Sequence, residues 1–277
     1  MTQLTTRIKL NSPQLNVMGM AALKAGRKLV RDFNEVEHLQ ISRKGPGNFV
    51  SVADHRAEKI IREELHKARP EYGFLLEESG EVIGKNPRFR WIVDPLDGTN
   101  NFLHGLPHFA VSIALEHDKE IIAGVIYDPI KDEMFYAEKG LGAYVNERRL
   151  RVSARDRLSS ALLGLSLTYN AQIATYTHAP ILQKYQNLST QVAGLRRMGS
   201  AALDLAYIAC GRLDGYLGLD LSPWDVAAGL LIVKEAGGYA TTIVGQSDIF
   251  ETRTILAAND RLHRHLLNYL NGTVKTV

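Results

Sequence analysis

A single cysteine, Cys210, is the only thiol in this chain. No internal disulfide framework can form, and a reducing compartment, the cytoplasm, is expected. Cys210 itself lies between apolar neighbours and reads as a packed core thiol. Long hydrophobic runs are missing too. No stretch approaches the roughly 18 apolar residues of a transmembrane helix. The opening "MTQLTTRIKLNSPQLNVMGMAAL" lacks the basic-then-apolar layout of a signal peptide, so a soluble protein with no membrane partner is expected. Charge of one sign is scarce: 33 Lys and Arg against 30 Asp and Glu leave a net +3, which demands neither nucleic acid nor a lipid surface. The nine histidines show no metal spacing. His104 and His108 stand four apart, but Gly105 and Pro107 oppose a helix between them, so zinc is not expected.

What is present reads as ordinary globular sequence, 45 % apolar and 23 % charged over 277 residues, enough for a single catalytic domain whose two lobes, roughly 1–150 and 151–277, share a core. Ser12 followed by Pro13 is a helix start, and Leu15, Met18, Ala22, Ala25, Leu29 and Phe33 then recur at helical spacing. "NFVSVAD" (48–54) is a strand running into a helix that Pro70 ends. "YGFLLEESG" (72–80) is a short strand finishing on two glutamates. From 109 to 137, "FAVSIALE", "EIIAGVIYD" and "DEMFYAE" alternate as strands do, and "GLGAYVNERRLRVS" is a further hairpin. "ALLGLS" (161–166) and "DGYLGL" (214–219) read as strands. "GSAALDLAYIACG" (199–211) and "WDVAAGLLIVKEAGG" (224–238) read as helices stopped by glycine, the former with Leu203 and Tyr207 in the core. Residues 168–187 are compatible with a helix, and a strand "TILAA" and a helix close the chain. Helices mixed with runs of adjacent strands imply an α/β or α+β fold rather than a plain doubly wound sheet.

The chemistry gathers in "RWIVDPLDGTNNFLHG" (90–105). An apolar strand ends on Asp94, and Asp97 follows three residues later. Pro95 fixes one φ angle and favours an extended Asp94; Gly98 frees the backbone to turn. Two carboxylates, with the Leu96 carbonyl, would then face one point, as hard oxygen ligands that suit Mg²⁺ better than zinc. "TNNF" can open a helical turn whose free N–H groups stabilise an anion. The competing reading is an Asp-rich turn in which the carboxylates cap local N–H groups. Glu77 and Glu78 also follow an apolar strand, and Asp54 and Asp225 each open a helix, where an acid can cap or bind metal.

These stretches together resemble the inositol monophosphatase family of Mg²⁺-dependent, lithium-sensitive phosphatases, in its bacterial branch. The resemblance rests on "EES" (77–79), "WIVDPLDGTNNFLHG" (91–105) and "WDVAAGLLIVKEAGG" (224–238), with "VAD" (52–54) and "GSAALDLAYIACGRLDGY" (199–216) in support. It implies a layered α–β–α–β–α sandwich, commonly dimeric, acting on a small phosphorylated substrate such as inositol 1-phosphate. By position it implies that Glu77, Asp94 and the Leu96 carbonyl hold one metal and that Asp94, Asp97 and Asp225 hold a second, about two or three Mg²⁺ per site in all. Asp54, Glu77 and Thr99 match the group that activates the attacking water. Gly98 and Thr99 match donors to the phosphate, while Gly199, Ser200, Ala201 and Asp225 match substrate contacts.

Three positions depart from the family pattern. Leu76 stands where glycine is usual, Asn100 replaces a frequent Thr or Ser, and Gly218 stands where inositol-specific members carry a glutamate that bonds sugar hydroxyls. Asp220 lies close enough in sequence to replace that glutamate. Gly218 therefore keeps open the same chemistry on a nucleotide 3′-phosphate, a sugar bisphosphate or another polyol phosphate. The cluster Arg148, Arg149, Arg151, Arg155 and Arg157 is compatible with RNA or the transcription machinery as a partner, but the favoured reading is a solvated hairpin bridged to Glu147 and Asp156.

Overall fold

The computed structural model describes residues 10, 12–35, 41–45, 48–167 and 179–272. In chain order, α1 (Pro13–Phe33) precedes a hairpin of β1 (Ile41–Gly45) and β2 (Asn48–Ser51), then α2 (Val52–Ala68), β3 (Tyr72–Leu76), β4 (Gly80–Val82) and β5 (Asn86–Asp97). The short α3 (Thr99–Leu103) leads to four further strands, β6 (Ala110–His117), β7 (Glu120–Asp128), β8 (Glu133–Glu138) and β9 (Gly142–Val145), and then to β10 (Arg148–Arg149). The second half holds β11 (Leu162–Leu167), α4 (Ala179–Leu188), β12 (Gly194–Arg196), α5 (Ala201–Ala209), β13 (Gly215–Leu219) and α6 (Pro223–Glu235). It ends with β14 (Tyr239–Thr241), α7 (Ile249–Thr252), β15 (Thr254–Ala258) and α8 (Asp260–Leu270).

Among the described residues these strands form an eight-stranded sheet ordered β10-β9-β8-β7-β6-β5-β3-β4 and a five-stranded sheet ordered β12-β11-β13-β15-β14, beside the β1–β2 hairpin. Alternation along β5 decides the layering. Trp91 and Val93 pack with Leu15, Met18, Leu29 and Ile61 of α1 and α2. Ile92, on the opposite face, packs with α5 and α6, which meet Tyr216, Ile255 and Ala257 of the smaller sheet on their other side. Leu217, Leu219 and Leu256 turn outward onto Leu262, Leu266 and Leu270 of α8. The order is therefore α–β–α–β–α, as expected. The middle helices are nearly all apolar because both faces are covered.

The predicted start of α1 holds: the Ser12 hydroxyl accepts the Leu15 N–H at 3.3 Å, with Pro13 next. Other boundaries shift. α6 begins at Pro223, and α2 begins at Val52, so Asp54 sits inside its first turn rather than ahead of it. The helix read over 168–187 is α4 from Ala179 onward; residues 168–178 lie outside the described residues. Four strands of three to five residues, β1, β4, β12 and β14, and the short α7 were not anticipated. The arginine hairpin exists, but its ion pairs differ from those expected. Arg155 pairs with Asp214 at 2.7 Å, and Asp156 pairs with Arg261 at 3.0 Å.

Closeness of the middle layer depends on Gly124 of β7. A Cβ there would lie 2.9 Å from the Ala228 carbonyl and 3.0 Å from its Cα. Both are backbone atoms of α6 and cannot swing away. Gly124→Ala should push α6 off the sheet and cost about 1–3 kcal/mol, read as a Tm lowered by several degrees; an unchanged Tm would mean that this contact is looser than the geometry implies.

Candidate metal and phosphate site

β3 and β5 are the parallel pair of the larger sheet, in register Leu76↔Val93. Both chains leave the sheet at the same end, so Glu77 and Asp94 emerge side by side. The Glu77 N–H extends the pairing by one bond, to the Val93 carbonyl at 3.2 Å, and the two carboxyl groups lie close enough to influence each other's protonation. Beyond Asp94 the β5–β6 register breaks until Asp97 meets Ala110. Inside this bulge Asp94 accepts the Leu96 N–H at 2.9 Å, which holds the turn. Gly98 then takes a φ of 99°. A Cβ there would also lie 3.0 Å from the His108 carbonyl, so space and conformation both select glycine.

Gly98 starts α3, whose first N–H groups have no partner within the helix. The Thr99 hydroxyl lies 2.9 Å from the Leu96 carbonyl and 3.3 Å from Asp54 Oδ1. Its single proton favours the nearer Leu96 oxygen, which keeps a second lone pair for another partner. Asp54 is buried in the first turn of α2.

The other half of the site comes from the middle layer. One oxygen from each of Asp94, Asp97 and Asp225 lies within 4.8 Å of the others. Asp97 Oδ2 accepts the Ser200 hydroxyl at 2.5 Å and the Ala202 N–H at 2.8 Å. Ser200 also caps α5 through the Leu203 N–H. Asp97 therefore occupies the positive end of that helix, and the segment Gly199, Ser200, Ala201 reaches the site through it. Asp225 accepts the Ser222 N–H at 2.7 Å, so capping and membership of the cluster are both true of this one residue. Asn101, which sequence reasoning passed over, ties the motifs together by donating to the His108 and Met198 carbonyls, each at 2.8 Å. It fits because Gly199 leaves the room: a Cβ there would be 3.0 Å from Asn101 Nδ2. Glu58 was also missed; it holds the turn after Glu77 through the Glu78 N–H and the Ser79 hydroxyl. An acid four residues after Asp54 on the same helix face was the available signal.

The position where the glutamate replaced by Gly218 would stand is crowded by neighbouring side chains. A Cβ on Gly218 would meet Leu221 Cδ1 at 2.4 Å and Ile255 Cγ2 at 2.8 Å. Asp220 is held by Arg253 at 2.8 Å. Both residues have φ of 58°, and both charges are felt by Asp225.

Burial is the first cause that raises every carboxyl of the cluster. It pushes Glu77 to about 8, helped by Asp225, and Asp225 to about 7, helped by Asp97. Asp94 rises well above the usual range, through burial and then Glu77. Asp97 reaches only about 6 because Ser200 and the α5 N–H groups stabilise its anion. All-oxygen donors that repel one another when ionised fit a small hard cation. Nitrogen and sulfur donors, which zinc prefers, take no part in the cluster among the described residues.

Residues 11–275 match the sequence model of the inositol monophosphatase family. The chain is 52 % identical over 256 residues to a Mesorhizobium japonicum protein named inositol-1-monophosphatase, covering 92 % of this chain and 95 % of that one. It is 40 % identical over 255 residues to the Escherichia coli protein named Nus factor SuhB, covering 92 % and 94 %. The crystal structure of extragenic suppressor protein suhB from Bartonella henselae superposes with a TM-score of 0.90 at 52 % identity, over 95 % of this chain and all of that one.

These carboxyls hold their protons to higher pH when folded than when unfolded. Without a divalent cation, the stability they contribute is present below about pH 4. It is lost as pH rises through about 6 for Asp97, 7 for Asp225 and 8 for Glu77. Metal-free protein should therefore show a Tm that falls between pH 5 and pH 8.5, and saturating Mg²⁺ should remove most of the fall while releasing protons. A metal-free Tm that is flat over this range in calorimetry would contradict the crowding.

Proposed function

Because the chain belongs to the inositol monophosphatase family, we propose that it is a phosphoric monoester hydrolase that converts inositol 1-phosphate to inositol and phosphate. The observation that carries this reading is the convergence of Asp94, Asp97 and Asp225 within 4.8 Å, beside the first turn of α3. The name of the relatives at 52 % identity supports the substrate.

In this reading Glu77, Asp94 and the Leu96 carbonyl hold one Mg²⁺, and Asp94, Asp97 and Asp225 hold a second. Bound Mg²⁺ supplies an acidified water as nucleophile and positive charge for the phosphate and leaving oxygens. The chain does the positioning that phosphoryl transfer chiefly requires. Asp54 and Glu77 accept protons from the attacking water, and the Thr99 hydroxyl, anchored on Leu96, orients it. The N–H groups of Gly98 and Thr99 donate to the phosphate. The backbone of Gly199, Ser200 and Ala201, with Asp225, lines the leaving group. No helix among the described residues is long and apolar enough to cross a membrane. We read the protein as a cytoplasmic homodimer of single catalytic domains. Inhibition by lithium follows if a monovalent ion fills a position that needs more charge.

A second reading keeps the chemistry and changes the substrate. The crowded Gly218 position favours it, because the nearest further acid, Asp220, already carries Arg253, whose guanidinium suits a second anionic group. Relatives named Nus factor SuhB support a transcription-associated partner, for which the exposed Arg148 and Arg149 are available.

The deciding assay is phosphate release from inositol 1-phosphate, with and without Mg²⁺, beside fructose 1,6-bisphosphate and an adenosine 3′,5′-bisphosphate. Mg²⁺-dependent release with the highest kcat/KM on inositol 1-phosphate is expected. A higher value on either bisphosphate would transfer the assignment to it. Asp97→Asn should lower kcat by about 10²-fold or more at unchanged circular dichroism; full activity in that variant would overturn the hydrolase mechanism.

A further inference from the structure

We propose that Glu58 is a positioning residue that sets the affinity of the cation position containing Glu77, while touching neither cation nor substrate. The inference rests on the two-cation reading above. Glu58 is 3 % exposed, and both of its oxygens are spent on the turn that follows Glu77. Oε2 accepts the Glu78 N–H at 2.8 Å, and Oε1 accepts the Ser79 hydroxyl. On its other side Glu77 is held by its own N–H on the Val93 carbonyl. The backbone of Glu77 is thus clamped from both directions: by the strand that delivers Asp94 and by the helix that delivers Asp54.

Asp54 and Glu58 stand one helical turn apart on α2 and share a face. A single rigid turn of helix therefore spaces the water-side acid from the segment carrying Glu77. Without Glu58 that segment joins β3 to β4 through Gly80, at φ 76°, with the part-buried Glu78 N–H left seeking a partner and the Ser79 hydroxyl released at the surface. The rest of the cluster is anchored elsewhere. Asp94 rests on the Leu96 N–H, Asp97 on Ser200 and Ala202, and Asp225 on the Ser222 N–H. None of these bonds passes through Glu58, so its loss should act on one cation position and spare the other.

The test counts bound Mn²⁺ by electron paramagnetic resonance in the full chain, for wild type, Glu58→Ala, Glu58→Gln and Ser79→Ala. Wild type should bind two Mn²⁺. In Glu58→Ala one site should keep its affinity and the other should weaken about 10-fold or more. Glu58→Gln, which retains an acceptor, and Ser79→Ala, which retains the Glu78 bond, should fall between. In the Mg²⁺ dependence of hydrolysis, the half-saturating concentration should rise with kcat largely recovered at saturation. Equal weakening of both sites, or titrations that superimpose on wild type, would overturn the positioning role and leave the two-cation reading standing. Fewer than two Mn²⁺ on wild type would overturn that reading, and the proposal with it. Should Glu58→Ala not fold, Glu58→Gln and Ser79→Ala decide by the same measurements.

Discussion

Carboxylates that cannot all be ionised together without a cation are the constraint around which this molecule is arranged. Glu77, Asp94, Asp97 and Asp225 share one recess; burial raises all four, and repulsion from neighbouring carboxylates adds to it at Glu77, Asp94 and Asp225. Like charges at this separation separate unless the backbone over-determines them. Each is accordingly tied: Asp94 by its own bulge, Asp97 by the start of α5, Asp225 by the start of α6, and Glu77 by the β3–β5 register. Two adjacent layers of the sandwich, the larger sheet and the middle helices, supply these ties, so the site depends on how those layers pack.

The parallel β3–β5 pair explains where the site sits. Antiparallel neighbours end at opposite edges, whereas a parallel pair ends together and sets its last residues side by side. The larger sheet is otherwise built of antiparallel pairs, so one local choice of strand direction selects the edge at which Glu77 and Asp94 meet. Glycines on either side of the contact between the larger sheet and the middle helices then bring those helices close enough for Asp97 to reach α5. Gly124 admits α6 against β7, and Gly229 admits Leu205 of α5.

Much of this was legible in the sequence because period and punctuation are local. Ser12-Pro13 marked the start of α1, alternation marked β6 to β8, and Asp-Pro-Leu-Asp-Gly-Thr marked the turn that gathers oxygen ligands. The misses share a physical cause. β1, β4, β12 and β14 are three to five residues long, too short to display a period, and they exist because a neighbouring strand needs a partner. Asn101 and Glu58 act through backbone groups 97 and 20 positions away; the spacing of Glu58 from Asp54 hinted at a shared helix face, but nothing local in a sequence names the remote partner. The partner choices of Arg155 and Asp156 failed for the same reason, since Asp214 and Arg261 are remote in the chain. Asp225 shows the opposite limit: cap and cluster member were posed as alternatives, yet a carboxylate has two oxygens and can serve both.

The protonation order within the cluster carries a mechanistic consequence. Asp97, stabilised by a hydroxyl and the N–H groups of a helix start, is the carboxyl that ionises most readily of the four. Glu77 and Asp94 are instead raised by burial first, and then by neighbouring carboxylates, Asp225 for Glu77 and Glu77 for Asp94. On the two-cation reading proposed above, filling the position that contains Glu77 would release more protons than filling the one shared by Asp97 and Asp225, whose carboxyls are raised less. In that reading the two positions would differ in their response to pH even though both would use Asp94. Glu77 would serve only one of them, so what holds its backbone in place would bear on that position alone.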